Sequence, residues 1–174
     1  FVVDTSFVVK DFDHSILSQV REAIETIVEK LSLKDGMIHS QLIISGNSFW
    51  LIEVTRRCPG DLYSRLVERS TGFPYAEIYS NFLLGNEDLP SLTQRTCVKI
   101  LRHTISVKTG TIFNSLQFHC PVQIEELIPL SSTGDNLQPS PFGRIGLMFL
   151  KADSESSFTR LLSATLSRKL YGVE

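Results

Sequence analysis

Three residues at alternate positions of one strand-like segment have the chemistry of a metal–phosphate site. Glu53, Thr55 and Arg57 lie in the segment 48–57, whose other residues are mostly apolar. Because alternate side chains of a strand share a face, we expect one face to carry Phe49, Leu51 and these three residues. A carboxylate and a hydroxyl offer the hard oxygens that Mg²⁺ requires. A guanidinium offers two donors to a phosphoryl oxygen.

The apolar neighbours of these residues predict that the strand is buried. Trp50, Ile52 and Val54 alternate with the polar positions, and a buried charge is costly unless it is paired or bound to a metal. Two explanations are open at this point. Glu53 and Arg57 form an ion pair at the end of a strand, or both belong to a metal–phosphate site.

The elements that position this segment follow from periodicity and turn residues. Apolar residues at helical spacing predict an amphipathic helix over 14–32, with Asp13 as its N-cap. The strand pattern of 38–45 and 48–57, separated by Gly46-Asn47, predicts a hairpin. Short helices are expected after Asp61 and after Pro74.

The second half of the chain is richer in strand patterns. Strands are expected over 96–107, 111–118, 122–130 and 144–151, with a loop over 131–142 and a final helix over 154–170. The polar stretch 86–92 is the best candidate boundary. We therefore predict an α+β fold with one domain over 1–88 and a smaller β-rich subdomain over 89–174.

Composition excludes several functional classes. The chain has 174 residues, a net charge of −2 and scattered basic residues, which argues against a dedicated nucleic-acid-binding protein. Three distant cysteines indicate neither a disulfide framework nor a zinc site. No apolar stretch is long enough to span a bilayer and no secretory signal is evident, so we expect a cytoplasmic protein that does not bind membranes.

The order of motifs across 14–85 resembles the end of an ATP-grasp domain. The motifs are Gly36-Met-Ile-His-Ser-Gln41, Leu51-Ile-Glu-Val-Thr-Arg-Arg-Cys-Pro-Gly-Asp61, Thr71-Gly72 and Leu83-Leu84-Gly85. The family pattern has G-x-x-H-x-E, a turn, E-x-N-x-R with a following Gly, a helix, a T-G step and a closing L-G. The later glycines, with Arg144-Ile-Gly146, are similar to the C-terminal lobe of the carboxylate–amine ligase branch.

The resemblance implies a ligase that phosphorylates a carboxylate with ATP, after which an amine or another nucleophile attacks the acyl phosphate. It implies that Glu53 bridges two Mg²⁺ ions, that Thr55 and Gln41 each hold one, and that Arg57 contacts the transferred phosphoryl group. Gln41 stands where most members have Glu or Asp, although Gln occurs there in carbamoyl-phosphate-synthase-like members. Thr55 stands where Asn is usual. His39 is expected to point away from Gln41, as a packed histidine or as a base.

The resemblance also implies that the glycine-rich loop and the adenine-contacting residues belong to a lobe upstream of Phe1. This chain alone is then expected to be inactive. Its partners are that lobe and small-molecule carboxylate and amine substrates, with a homodimer left open. The alternative function is a degenerate ATP-grasp-like binding or structural module without catalysis, because a fold alone does not establish activity.

The length of the hairpin turn decides whether Gln41 and Glu53 can share a metal site, because directly opposite residues of an antiparallel pair share a face. A two-residue turn, which Gly-Asn favours, puts Gln41 opposite Ile52. A three-residue turn over 46–48, or an equivalent bulge, puts Gln41 opposite Glu53. A one-residue slip in register moves every side chain of a strand to the other face, so only one of the two turns is compatible with a shared metal site. We predict the three-residue turn, with Gln41, Glu53 and Thr55 on one face.

Overall fold

The computed structural model describes residues 3–34, 36–86 and 97–174. The elements within these ranges follow in the order β1 (Thr5–Phe7), α1 (His14–Lys30), β2 (His39–Ser45), β3 (Ser48–Thr55), α2 (Tyr63–Thr71), α3 (Tyr75–Leu83), β4 (Lys99–Ile105), β5 (Thr111–Ile112), β6 (Leu116–Phe118), β7 (Gln123–Pro129), β8 (Asn136–Leu137), β9 (Gly146–Ala152), α4 (Glu155–Leu166) and β10 (Tyr171–Val173).

The first helix begins where the sequence predicts. The carboxylate of Asp13 accepts hydrogen bonds from the backbone N–H groups of Ser15, at 2.8 Å, and Ile16, at 3.3 Å. This N-cap satisfies two of the four donors that a helix leaves unpaired at its start. α1 packs against β3 and so supports the strand that carries the candidate site.

Three predictions for the second half are corrected. The strand predicted over 111–118 is two strands, β5 and β6, and the loop predicted over 131–142 contains β8. The helix predicted over 154–170 ends at Leu166, because Arg168 adopts a left-handed backbone with a φ of 53°. The chain then continues into β10. The predicted domain boundary between 88 and 89 lies outside the described residues.

The described residues form two compact units, neither of which is continuous in sequence. The first unit is built from those within 1–8, 66–72 and 95–174, and the second from those within 9–65 and 73–94. The first contains a four-stranded antiparallel sheet in the order β1-β4-β9-β7. The second contains the hairpin β2-β3 together with α1 and α3. Helices beside antiparallel sheets confirm the α+β prediction.

The core of the first unit lies between its four-stranded sheet and α4. Leu101 of β4 and Met148 and Leu150 of β9 are fully buried and pack in one cluster with Phe158 of α4 and Leu170. β4 and β9 are the two central strands of the sheet, and nearly all of their residues are buried. β9 is almost continuously apolar, whereas β4 also buries Arg102, His103 and Thr104.

A chain of hydrogen bonds crosses the buried side of β4. Nδ1 of His103 lies 2.9 Å from Oγ1 of Thr5, and Nε2 lies 3.0 Å from the hydroxyl of Tyr171. The hydroxyl of Thr5 donates to Asp4 at 3.3 Å, so its Oγ1 accepts a hydrogen bond from Nδ1–H of His103. Nε2 of His103 is then unprotonated and accepts from the hydroxyl of Tyr171. The backbone N–H of Ser106 donates to the Tyr171 hydroxyl at 3.2 Å. Burial raises the pKa of Tyr171, which keeps the phenol protonated.

His103 makes the stability of the first unit depend on pH. Burial lowers the pKa of His103 to about 4, although the nearby Asp4 opposes this shift. Below its ordinary pKa of about 6.5 the unfolded chain takes up a proton that the folded protein does not, so stability falls as the pH drops from about 6.5 to 4. Between about pH 7 and pH 5 we expect a loss of about 2 kcal/mol in urea unfolding. The variant His103→Gln should lose this part of the pH dependence, and an unchanged profile would contradict the assignment.

Candidate metal–phosphate site

A bulge brings Gln41 opposite Glu53. The hairpin turn is the two-residue Gly46-Asn47, with Ser45 paired to Ser48, so the predicted three-residue turn is wrong. The register then shifts between Gln41 and Leu42: Leu42 pairs with Leu51, and Gln41 pairs with Glu53. Ile52 is the extra residue of β3. The bulge shifts the register by one residue, as a three-residue turn would have done. The predicted pairing of Gln41 with Glu53 is therefore confirmed, although the turn has two residues.

The same bulge changes which residues share the face of the site. Ile43 lies opposite Trp50. On β2, which has no bulge, Ile43 is two positions from Gln41. Gln41 and Glu53 therefore share a face with Ile43 and Trp50, so the prediction that Phe49 and Leu51 share the face of Glu53 is wrong. The prediction of burial is also wrong for this part of the strand, because Trp50 and Ile52 are about half exposed.

Thr55 contributes a buried hydroxyl that has no hydrogen-bond partner among the described residues. Its Oγ1 is buried and forms no hydrogen bond within the described part of the chain. A buried hydroxyl without a partner costs free energy that a ligand could recover. After the bulge, Thr55 is two positions from Glu53 and lies on the same face.

Arg57 follows the end of β3 and is mostly exposed. Its Nη2 lies 4.0 Å from Oε1 of Glu53, and its Nη1 donates to the carbonyl of Cys58 at 3.1 Å. Both side chains of the ion pair are at least half exposed. Such a pair contributes little to stability. The ion pair is therefore present, but it leaves both charged groups accessible to a ligand.

Arg56 ties the base of the hairpin to the preceding loop, a role that sequence reasoning missed. Its Nη1 donates to the carbonyl of Lys34 at 2.6 Å, and its guanidinium lies so close to Gly36 that a Cβ there would overlap it. Gly36 also has a φ of 144°, a conformation that side chains rarely adopt. The glycine of the first motif therefore makes room for Arg56. The repeated Arg56-Arg57 was the only signal in the sequence.

His39 lies nearer to the site than the sequence analysis placed it. It pairs with Thr55 and stands two residues from Gln41 on β2. Residues two apart on a regular strand share a face, so the expectation that His39 points away from Gln41 is wrong. The two-residue spacing in the sequence was the signal that could have shown this.

The oxygens at this site fit Mg²⁺ by type. The amide of Gln41, the carboxylate of Glu53 and the hydroxyl of Thr55 are hard oxygen donors on one face of paired strands. Among the described residues, no group of three or more His, Cys, Asp or Glu side chains could hold a metal ion. A single carboxylate beside neutral oxygens suits an ion that keeps several waters and binds phosphate oxygens, as Mg²⁺ does.

Comparison with solved structures shows the fold of this chain. It superposes on phosphoribosylglycinamide synthetase from Anaerococcus prevotii with a TM-score of 0.76, 15% identity and coverage of 98% of this chain and 45% of that one. L-amino acid ligase from Bacillus licheniformis gives a TM-score of 0.75, 15% identity and coverage of 100% and 44%. Biotin carboxylase from Campylobacter jejuni, solved as a complex with β-γ-ATP, gives a TM-score of 0.59 and 14% identity. The match covers 93% of this chain and 37% of that one. The chain therefore has the fold of the C-terminal lobe of ATP-grasp ligases.

The chain spans less than half the length of these structural neighbours. No protein-family model matches its sequence, and no curated protein matches it. Within the described residues, no helix is long and apolar enough to cross a membrane.

Proposed function

We propose that this chain supplies the magnesium- and phosphate-contacting face of an ATP-dependent ligase. The observation that carries the proposal is the bulged register, which places Gln41 opposite Glu53 and Thr55 beside them. The proposed substrates are a small-molecule carboxylate and an amine or a similar nucleophile. Two of the structural neighbours, an L-amino acid ligase and a phosphoribosylglycinamide synthetase, support this class of reaction.

Each residue at the site has a distinct part in the proposed chemistry. Glu53 would supply the only full negative charge among the residues that would hold Mg²⁺. Gln41 and Thr55 add neutral oxygens that orient the ions without adding charge. Bound Mg-ATP supplies the phosphoryl group that activates the carboxylate.

Arg57 is proposed to neutralise the charge on the phosphoryl group. Its guanidinium is mostly exposed and only 4.0 Å from Glu53, so it can turn from that carboxylate toward a phosphate oxygen. Phosphoryl transfer depends mainly on positioning and on charge neutralisation. This side chain is therefore the candidate catalytic residue of the chain.

Thr55→Val tests the metal site directly in this chain. The substitution replaces a buried hydroxyl, which has no partner in the described part of the chain, by a methyl group of similar shape, so stability should be unchanged or higher. Affinity for Mg²⁺, or for Mn²⁺ followed by paramagnetic relaxation, should fall by about tenfold, since one charge-assisted contact is lost. Thr55→Asn, which restores the usual family residue, should bind the ion at least as well.

The matched control for this experiment is Thr26→Val. Thr26 is an exposed hydroxyl on α1 that donates only to the carbonyl of Glu22 in its own helix. Its loss should leave metal affinity unchanged. If Thr55→Val and the unaltered chain bind the ion equally well, Thr55 is not a ligand. If neither binds it while the fold is intact, the alternative of a degenerate, non-catalytic module is favoured.

A further inference from the structure

A polar cavity of about 310 Å³ lies in the first unit, and none of its lining residues belongs to β2 or β3. Its lining comes from the loop after β4, from β5, from Arg168 in the turn after α4 and from β10. The polar residues that line it are Ser106, Lys108, Thr109, Thr111, Arg168 and Tyr171. A volume of this size accommodates a small molecule.

The charge of the cavity is positive. Lys108 is exposed and forms no ion pair with any described residue. Arg168 has one acidic neighbour, Asp4, whose Oδ1 lies 4.0 Å from its Nη2. The pair is partly exposed and long, so it offsets the guanidinium only in part. Two cations and several hydroxyl groups that line one cavity are suited to an oxyanion.

The backbone at Arg168 is strained. The N–H of Arg168 donates to the carbonyl of Thr165, and that of Lys169 donates to the carbonyl of Ala164, so α4 ends in a Schellman motif. The residue at the centre of this motif is usually glycine, and here an arginine adopts a φ of 53°. A strained non-glycine residue at this position is consistent with a role for its side chain.

The walls of the cavity are held in place by the buried hydrogen bonds described above. Tyr171 is fixed by the N–H of Ser106 and by His103, and His103 is fixed by Thr5. Thr5 in turn bonds Asp4, which lies beside Arg168. The series therefore links two lining residues, Tyr171 and Arg168, through the interior of the unit. A pre-positioned wall lowers the cost of ordering a ligand.

We propose that this cavity binds a small oxyanion, a phosphate or a carboxylate group, held by Lys108 and Arg168 with the hydroxyls of Thr109 and Thr111. The proposal is independent of the ligase function proposed for the hairpin. Phosphate and carboxylate share the chemistry that the cavity recognises, and titrations with each distinguish them.

The experiment follows the backbone amides of the chain by NMR during titration with inorganic phosphate and, separately, with malonate. Ionic strength is held constant, because salt screens exposed charges. We expect saturable shifts confined to 106–111 and 168–173. Tighter binding of phosphate would indicate a phosphorylated ligand, and tighter binding of malonate would indicate a carboxylate. Lys108→Gln and Arg168→Gly should each weaken binding by about tenfold or more.

Two control measurements show whether a loss of anion binding comes from unfolding of the variant or from the change in net charge alone. Arg168→Gly relieves the strained backbone, so its Tm should not fall. Lys169→Gln removes the same charge one residue away, at an exposed position, and should leave affinity unchanged. Absence of saturable binding of both anions, or an equal loss in Lys169→Gln, would overturn the proposal.

Discussion

Replacing Glu53 by Gln should lower the turnover of an active ligase that contains this chain by about 10²–10³-fold, since loss of one group that stabilises the transition-state charge commonly has this effect. Gln retains the shape of the side chain and removes its negative charge. Glu53 is the residue that pairs with Gln41 across the hairpin. The measurement is ADP release at saturating substrate over a range of Mg²⁺ concentrations. Extra Mg²⁺ should restore little activity, because the carboxylate proposed to hold the metal is gone.

Glu25→Gln is the matched control for this substitution. Glu25 is exposed on α1, in the same compact unit, and its replacement changes the net charge by the same amount. Its turnover should equal that of the unaltered protein. Arg57→Ala should also reduce turnover severely, through loss of the guanidinium that is proposed to meet the phosphoryl group. Full turnover in Glu53→Gln would move the chemistry to another part of the protein.

Replacing Leu150 by Ala should lower the free energy of unfolding of the first unit by about 2–5 kcal/mol. Leu150 is fully buried at the centre of β9, opposite Leu101 on one side and Ile124 on the other. Removal of its side chain leaves a cavity that strands paired on both sides cannot close. The measurement is urea unfolding followed by circular dichroism and by amide exchange in β4 and β9.

Leu127→Ala in β7 is the control for the core. The same atoms are removed, but Leu127 is 45% exposed, so nearly half of its surface already contacts water and less apolar burial is lost. We expect a loss of no more than about 1 kcal/mol. Equal losses for the two variants would mean that the central strands are not the core of the unit.

Local patterns were sufficient for several elements of this fold. The periodicity of 14–32 and the carboxylate of Asp13 predicted α1 closely, because both signals act within a few residues. The Gly46-Asn47 signal was also correct: the turn has two residues, and only Gly46 of the pair has a positive φ. The wrong prediction arose from preferring the metal-site register to this local signal.

The bulge at Ile52 could not be predicted from local patterns. Its sequence reads as a regular continuation of β3, and nothing in the residue type marks it. A bulge arises where the strand adjusts its twist and pairing to its surroundings. This one adjustment places Gln41 opposite Glu53 on the face of Trp50, and it decides the composition of the candidate site.

The sequence by itself determined the fold class, the first helix, the hairpin and which residues are candidate oxygen donors, because these depend on periodicity, turn residues and side-chain chemistry. Tertiary structure alone decided the face of the site and the cavity lined by Lys108 and Arg168. These two residues are 60 positions apart, and only the packing of β4, β10 and the end of α4 brings them to one cavity. The helix end at Arg168 carries no glycine, so the sequence offered no sign that the chain turns there.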